Sequence, residues 1–313
     1  MPLAFSSEER EAAERLIEVA LAEDLGAAGD LTSRALIPEA MRGTVNVVSR
    51  ADGIVAGLSV AKLVYERLDP AVTWSERVPD GTRVTRGAVI ATVAGPLRTL
   101  LTGERTALNF LMHLSGVATL TRKFIDAVAG TKVVILDTRK TLPGWRLLEK
   151  YAVRTGGGTN HRMSLSDGCL IKDNHLAAWR SAARATDSDP SIAAAIAAAR
   201  RAAPGIPVEV EVDTKEQLTD VLAGLPDIVL LDNMDIATLR ECVTLRNRLA
   251  PDVLLEASGG ISLNVGQAGR LPHDKKWQAG SLPYEIATTG VERISVGAIT
   301  HSAPALDLAF DWP

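Results

Sequence analysis

The chain has 313 residues, with 34 Lys and Arg against 38 Asp and Glu, which gives a net charge of −4 at pH 7. Its composition, 46% hydrophobic and 23% charged, is that of a globular protein and excludes a disordered chain. The acidic balance argues against a general polyanion-binding surface, and 4% aromatic residues argue against an aromatic platform for nucleic acid. Two cysteines, Cys169 and Cys242, cannot form a disulfide framework or a C-x-x-C zinc pair, and we interpret both as core residues.

The N-terminal segment has neither the basic region nor the apolar region of a secretory signal. The longest uncharged stretch, residues 106–121, is shorter than the roughly 20 apolar residues of a membrane-spanning helix. We therefore expect a cytoplasmic protein.

The first part of the chain is predicted to be an α/β unit. Ser6 and Glu9 have the spacing of a capping box, and helical periodicity follows them. Short β-branched runs between glycines in 43–60 and 78–97 predict a small antiparallel sheet. We place this N-terminal domain at residues 1–115.

From about residue 116, short apolar runs alternate with helical stretches. The runs are 132–136, 169–171, 208–212, 227–231, 253–255 and 293–296. This alternation predicts a parallel sheet closed, or nearly closed, into an α/β barrel over residues 116–299. A doubly wound open sheet is the alternative, although no G-x-G-x-x-G follows the first run.

Two segments interrupt the alternation. Residues 176–203 are alanine-rich, and we expect an exposed loop followed by a helix. Residues 264–283 have no hydrophobic period and are typical of a loop.

Polar residues or glycines follow each of the six apolar runs, where the strands of a barrel place an active site. Cations are frequent among them and in nearby loops: Arg139, Lys140, His161, Arg162 and Lys172, with Arg105 earlier in the chain. Clustered cations repel one another unless an anion neutralises them, and an arginine fork matches a carboxylate or a phosphate. The pattern predicts a local anion pocket, with surface salt bridges as the alternative for each cation.

Carboxylates and glycines complete the set. Glu209 and Glu211 alternate with valines on one side of a strand, and with Asp232 they are candidates to hold Mg²⁺ or sugar hydroxyls. Structural pairing with the pocket cations is the alternative. Glycine turns at 156–158, at 258–260 and at Gly297 are typical of phosphate cradles. The residues therefore indicate a carboxylate-bearing substrate that reacts with a phosphorylated sugar.

Motifs along nearly the whole chain resemble the quinolinate phosphoribosyltransferase family. They are Glu23-Asp-Leu-Gly26, Gly29-Asp-Leu-Thr32, Glu104-Arg-Thr-Ala-Leu-Asn109, Leu136-Asp-Thr-Arg-Lys-Thr141, Glu149-Lys-Tyr-Ala-Val-Arg154, Gly156-Gly-Gly-Thr-Asn-His-Arg162, Ile171-Lys-Asp-Asn-His175, Glu209-Val-Glu-Val212, Leu231-Asp-Asn233, Glu256-Ala-Ser-Gly-Gly260 and Ser295-Val-Gly-Ala298. The resemblance implies an N-terminal α/β sandwich domain, rejoined by about 300–313, and an open or irregular barrel. It also implies transfer of phosphoribosyl from phosphoribosyl pyrophosphate to quinolinate, which yields nicotinate mononucleotide, pyrophosphate and CO₂.

The resemblance assigns expected roles to individual residues. Quinolinate is expected to contact Arg105 from the neighbouring subunit of a homodimer, together with Thr138, Arg139, His161, Arg162 and Lys172. Phosphoribosyl pyrophosphate is expected to contact Lys140, Glu211, Asp232, Ser258, Gly259, Gly260 and Gly297. The expected metal ligands for Mg²⁺ are Glu211 and Asp232, and the expected catalytic set is Lys140, Lys172, Glu211 and Asp232.

The segment 264–283 departs from the family pattern as an insertion, which we interpret as a neutral surface loop, with a lid or an oligomer contact as alternatives. Two other functions remain open at this point. One is a paralogous enzyme that acts on another anionic acceptor, which the full cation set disfavours. The other is a non-catalytic ligand-binding descendant, which the retained carboxylates Glu211 and Asp232 disfavour.

Overall fold

A computed structural model describes residues 4–263 and 283–312. The helices and strands in chain order are α1 Ser7–Leu25, α2 Leu31–Leu36, β1 Arg42–Ser49, β2 Gly53–Ile54, α3 Leu58–Leu68, β3 Thr73–Glu76, β4 Arg83–Val84, β5 Val89–Pro96, α4 Leu97–Ala127, β6 Val134–Leu136, α5 Arg146–Thr155, β7 Cys169–Ile171, α6 Asp173–Ala185, α7 Ile192–Ala202, β8 Val208–Val212, α8 Lys215–Ala223, β9 Ile228–Asp232, α9 Ile236–Leu249, β10 Leu254–Ser258, α10 Pro283–Ala287, β11 Arg293–Ser295, α11 Ala298–His301 and β12 Leu308–Asp311. They form two compact units. The first combines residues 1–122, 140–158 and 299–313, and the second combines 123–139 with 159–298.

The first unit is built on a four-stranded antiparallel sheet with the order β12-β1-β5-β3. The capping box predicted at Ser6 and Glu9 is confirmed, and α1 begins directly after it. The last strand, β12, pairs antiparallel with β1, so the end of the chain completes the sheet that the beginning of the chain starts. Just before β12, Pro304 approaches α4 so closely that any side chain larger than hydrogen at Gly116 would overlap its backbone.

The second unit is a six-stranded parallel sheet with the order β6-β11-β10-β9-β8-β7. The strand sequence runs in one direction around the sheet, and the first strand pairs with the last. This winding is that of a barrel and differs from a doubly wound sheet, whose order reverses at a switch point. Within the described residues the sheet is open between β6 and β7. The predicted α/β barrel of the open type is therefore confirmed.

One predicted element of the second unit is wrong. Residues 176–185, expected in a loop, belong to the helix α6. This helix buries only Leu176 and Ala183, so the hydrophobic pattern of the segment is weak. The high helix propensity of its alanines favours the helical backbone. The insertion expected at 264–283 lies outside the described residues, except for its last residue. No helix in the described ranges is both long and apolar enough to cross a bilayer.

Candidate active site

The carboxyl ends of the parallel strands in the second unit carry most of the predicted site residues. The strand-end positions are Thr138 and Arg139 after β6, Lys172 after β7, Glu211 near the end of β8, Asp232 at the end of β9, Ser258 at the end of β10 and Gly297 after β11. The strands are parallel and adjacent, so these ends meet at one edge of the sheet. Register adds a second relation: Glu211, Leu230, Glu256 and Arg293 are successive cross-strand partners, which places them on the same face.

Asp137, the buried residue that follows β6, anchors the loop that carries the predicted cations. Its carboxylate accepts hydrogen bonds from the side-chain amide of Asn160 at 2.6 Å and from the backbone N–H of His161 at 2.9 Å. A second tie is the parallel bridge between Leu136 and Thr159. These contacts fix the backbone of residues 159–161 against the end of β6, so the positions of His161 and Arg162 are determined by the fold.

His161 lies in a buried cluster with two glutamates. Its Nε2 is 3.1 Å from a carboxylate oxygen of Glu209 and 3.4 Å from one of Glu256, and Arg293 lies 2.9 Å from the other oxygen of Glu256. Both glutamates are nearly inaccessible to solvent. Carboxylates buried in this way require compensating positive charge, because removal from water is costly for an unpaired ion.

Two contacts favour different charge states of the His161 ring. The backbone N–H of Arg162 donates to Nδ1 at 2.8 Å, which suits a neutral ring. Burial also opposes the charged ring, but the hydrogen bonds and charges of Glu209 and Glu256 outweigh it and raise the pKa of His161 to about 9. One neutral hydrogen bond contributes about 1 kcal/mol, less than two charge-assisted contacts do. We therefore assign His161 as an imidazolium at neutral pH.

The same three side chains have the spacing of a metal site, because one ligand atom of each lies within 4.8 Å of the others. Their charges argue against an ion there. Nε2 faces both carboxylates and carries a proton in the charged ring, and the guanidinium of Arg293 is already paired with Glu256. The cluster has two negative and two positive members, so it is compensated by its own side chains.

This compensation predicts a pH dependence of stability. The pKa of His161 is raised from 6.5 to about 9 in the folded protein, so its contribution to folding is complete below pH 6.5 and is lost as the pH rises through about 9. We expect the difference in unfolding free energy between the wild type and His161→Gln to shrink from pH 6 to pH 9.5 in urea titrations. A difference that is constant over this range would contradict the charged assignment.

Arg139 and Arg162 lie close enough for their charges to interact. Desolvation and the charge of Arg139 together lower the pKa of Arg162, with opposing contributions from Glu209 and Cys169. Arg162 Nη1 also donates to the carbonyl of Gly168 at 2.8 Å, which holds the guanidinium in place. Two adjacent, partly desolvated arginines form a local positive potential that a bound anion would relieve. The structure therefore brings these two predicted residues together.

A second group contains a lysine and two carboxylates. Lys172 forms a salt bridge with Glu211. Desolvation and the charge of Glu211 raise the pKa of Asp232, and Lys172 lowers it only weakly. The charges of the two carboxylates oppose each other, Lys172 compensates them in part, and a hard divalent cation prefers such oxygen ligands. The donor set is suited to Mg²⁺.

The glycine turn after β10 lies beside this group. Ser258 is the cross-strand partner of Asp232, and Gly259 and Gly260 have φ values of +95° and +56°. Residues that carry a side chain rarely adopt these backbone angles, so glycine is required where the chain turns away from the strand. The triple glycine at 156–158 serves packing instead, because added side chains at Gly156 and Gly158 would overlap Thr121 on α4.

Two predicted site residues belong to the first unit. Arg105 is exposed on α4, and Lys140 is exposed in the segment after Arg139, with its carbonyl accepting a hydrogen bond from Thr300 at 2.8 Å. Their roles at the site stay predictions.

Four residues without a predicted role belong to this network in the structure: Asp137, Asn233, Glu256 and Arg293. Asp137 and Asn233 directly follow apolar strands and Glu256 lies within one, so a polar residue in or next to an apolar run is the signal that could have found them. Arg293 starts β11 and has no such signal, since its partner is 37 residues away in the sequence and becomes its neighbour only through strand pairing.

Two family models match the chain. The model described as "Quinolinate phosphoribosyl transferase, N-terminal domain" matches residues 30–115, and the corresponding C-terminal domain model matches residues 117–268. The chain belongs to the quinolinate phosphoribosyltransferase family. Its N-terminal and C-terminal family domains follow each other in the order that the sequence motifs predicted.

Individual relatives agree with the family assignment. The chain is 44% identical over 305 residues to the nicotinate-nucleotide pyrophosphorylase [carboxylating] of Mycobacterium leprae, covering 97% of this chain and 98% of the relative. It is 40% identical to the probable enzyme of that name from Bacillus subtilis, covering 92% and 89%. The solved nicotinate-nucleotide pyrophosphorylase of Francisella tularensis is similar with a TM-score of 0.82 at 36% identity, covering 97% of this chain and 96% of that one.

Proposed function

We infer that the protein is a decarboxylating quinolinate phosphoribosyltransferase of de novo NAD biosynthesis. It transfers phosphoribosyl from phosphoribosyl pyrophosphate to quinolinate and forms nicotinate mononucleotide, pyrophosphate and CO₂. Membership of the family over nearly the full chain supports this function. The observation that carries it at the level of residues is the paired group of Arg139 and Arg162 on the same sheet edge as the carboxylates Glu211 and Asp232.

We propose that quinolinate binds at the cationic part of this edge. Arg139 and Arg162 supply guanidinium forks for its two carboxylates, and Lys172 supplies a point charge. Thr138 and His161 are also proposed contacts. His161 is held by Glu209 and Glu256 through Nε2, and these carboxylates compensate much of the charge that its ring would offer to quinolinate.

We propose that phosphoribosyl pyrophosphate binds at the carboxylate and glycine part of the edge. Glu211 and Asp232 would hold the ribose hydroxyls and Mg²⁺, while the 5′-phosphate lies in the turn formed by Ser258, Gly259 and Gly260, with Gly297 after the next strand. Lys140 and Lys172 would contact the pyrophosphate. Bound Mg²⁺ would supply charge stabilisation for the departing pyrophosphate.

The proposed arrangement suits the electrostatics of the reaction. Cleavage of the bond to pyrophosphate leaves positive charge on the ribose C1, which the carboxylates of Glu211 and Asp232 stabilise. The pyridine nitrogen then forms the new bond to C1, and the arginines that grip the carboxylates orient it. The bond between C2 and its carboxylate then breaks and releases CO₂, and the electron pair left on C2, stabilised by the adjacent positive pyridinium nitrogen, takes up a proton from water. None of these steps requires a nucleophilic side chain, so Cys169 and Cys242 have no catalytic role in this proposal.

We further propose a homodimer in which Arg105 of one subunit completes the quinolinate pocket of its partner. Mixing an Arg105→Ala variant with a Lys172→Ala variant is then expected to restore up to about a quarter of wild-type activity, since one hybrid site in two is intact and half of the dimers are hybrids. Mass spectrometry of differently tagged subunits would verify exchange. No recovery in exchanged mixtures would contradict a shared site.

The test of the function is a direct assay with purified protein, Mg²⁺, phosphoribosyl pyrophosphate and quinolinate. We expect nicotinate mononucleotide to form, and we expect omission of Mg²⁺ to abolish turnover. Product from another anionic acceptor but none from quinolinate would favour the paralogous enzyme. Tight binding of both ligands with no turnover would favour a non-catalytic descendant. The domain limits 1–115 and 116–299 and a cytoplasmic location stay predictions.

A further inference from the structure

Asn233, the residue directly after β9, has an unusual backbone conformation. Its φ is +54°, a left-handed value that few residues other than glycine and asparagine adopt without strain. Its backbone N–H donates to the carbonyl of Ser258 at 3.0 Å. Asn233 therefore ties the end of β9 to the end of β10 and turns the chain at the sheet edge where the site lies.

The side chain of Asn233 contacts residues on both of these strand ends. Its Nδ2 donates to Oδ2 of Asp232 at 2.7 Å. A methyl group added at Gly259 would overlap the side-chain amide of Asn233 and lie 2.9 Å from its backbone nitrogen, so the amide occupies the space next to this glycine. The amide group thus fills the space between the Asp232 carboxylate and the glycine turn.

This placement bears on the orientation of the Asp232 carboxylate. Asp232 lies at a strand end beside Glu211, whose like charge pushes it away, and Lys172 is already in a salt bridge with Glu211. A hydrogen bond from an amide that lies against the Gly259 turn favours one orientation of the carboxylate. Binding groups that are held in place before the ligand arrives lose less entropy on binding.

We propose that Asn233 is a positioning residue that orients Asp232 and couples it to the Gly259 turn, so that the ribose, metal and phosphate contacts of phosphoribosyl pyrophosphate form together. The inference rests on the proposed role of Asp232. Asn233 itself touches no reacting atom in this proposal. Its effect is confined to the phosphoribosyl pyrophosphate end of the site, and quinolinate binding is independent of it.

The test uses Asn233→Gly, because glycine keeps the left-handed backbone and the hydrogen bond to Ser258 while removing the amide. Calorimetric titrations of the intact enzyme with phosphoribosyl pyrophosphate and Mg²⁺, and separately with quinolinate, measure the two ends of the site. Mn²⁺ binding followed by electron paramagnetic resonance in the presence of phosphoribosyl pyrophosphate gives a readout independent of turnover. We expect about tenfold weaker binding of phosphoribosyl pyrophosphate, because one charge-assisted hydrogen bond is lost. Mn²⁺ binding is expected to weaken as well, while the quinolinate affinity stays within about twofold of that of the wild type.

A matched control is Leu225→Gly, which replaces another residue with a positive φ, +48°, at an exposed turn after α8. It makes the same backbone change without altering the site and is expected to leave both affinities unchanged. Equal losses of both affinities in Asn233→Gly, with a lowered melting temperature, would reduce Asn233 to a structural role and overturn the inference.

A reference variant, Asp232→Ala, separates the inference from the proposed function. If Asp232→Ala weakens binding of phosphoribosyl pyrophosphate and Asn233→Gly does not, the positioning role is wrong and the proposed function stands. If Asp232→Ala leaves phosphoribosyl pyrophosphate and Mn²⁺ binding unchanged, the assigned role of Asp232 fails, and the inference fails with it.

Discussion

Replacing Arg162 with alanine is expected to weaken quinolinate binding by about 30-fold or more, the equivalent of at least ~2 kcal/mol. Arg162 is held by the carbonyl of Gly168 and is electrostatically coupled to Arg139, so its fork is in place before the substrate arrives. Phosphoribosyl pyrophosphate binding is expected to change less than about threefold, since contacts to the dicarboxylate end are lost selectively. Calorimetric titration with each substrate separately measures both effects.

Two controls make this result specific. Arg162→Lys keeps the charge and loses the fork, so its quinolinate affinity is expected to fall between those of the wild type and Arg162→Ala. Arg240→Ala removes an exposed arginine from α9 and is expected to change neither affinity. Equal weakening of both substrates by Arg162→Ala would contradict the assignment of this residue to the quinolinate pocket.

Replacing Glu256 with alanine is expected to destabilise the protein by about 3–5 kcal/mol, because it leaves a buried cationic group without its partner. Glu256 is fully buried and contacts both His161 and Arg293. Burial favours the uncharged acid, but the hydrogen bond and charge of His161 and the charge of Arg293 outweigh it and keep the pKa of Glu256 below its ordinary value. The group that the substitution removes is therefore a charged carboxylate. Urea denaturation at pH 7.5 measures the change in unfolding free energy.

Glu256→Gln separates charge from packing, since the amide has nearly the same volume as the carboxylate. Its expected loss is most of that of Glu256→Ala. The exposed pair of Lys215 and Glu241 offers the matched control, with Glu241→Ala expected to cost less than about 1 kcal/mol. A loss from Glu256→Ala no larger than that from Glu241→Ala would contradict the buried, charge-compensated cluster.

Most of the fold could be predicted because its signals are local. Each strand of the parallel sheet coincides with a short apolar run in the sequence. The bounds of β7 and β8 are those of the predicted runs 169–171 and 208–212. The hydrophobic pattern did not predict the helix at 173–185, because this helix buries only two residues, although its alanines favour a helical backbone. The direction of winding that separates a barrel from an open sheet depends on strand pairing across long stretches of chain, which periodicity alone does not encode.

The site residues also fall into those that local sequence signals predict and those that they do not. Residues at strand ends were predictable, since a turn in direction and a change to polar residues coincide there, as at Lys172 and Asp232. The side chains that these residues contact were less predictable. Glu209 and Glu211 have identical local patterns, yet Glu209 pairs with His161 inside the sheet and Glu211 pairs with Lys172 at its edge. Glu211 lies two residues nearer the end of β8 and is more exposed than Glu209, and only the register of the strands in the sheet determines which side chains each of them meets.

Quinolinate labelled in its 2-carboxylate gives the sharpest test that one sheet edge joins a dicarboxylate pyridine to an activated ribose. We expect one labelled CO₂ and one pyrophosphate for each nicotinate mononucleotide formed, because transfer and decarboxylation are coupled at this edge. We also expect little product from nicotinate, whose single carboxylate leaves part of the cationic pocket unpaired. Equal turnover of nicotinate and quinolinate, or pyrophosphate release without labelled CO₂, would contradict the proposed site.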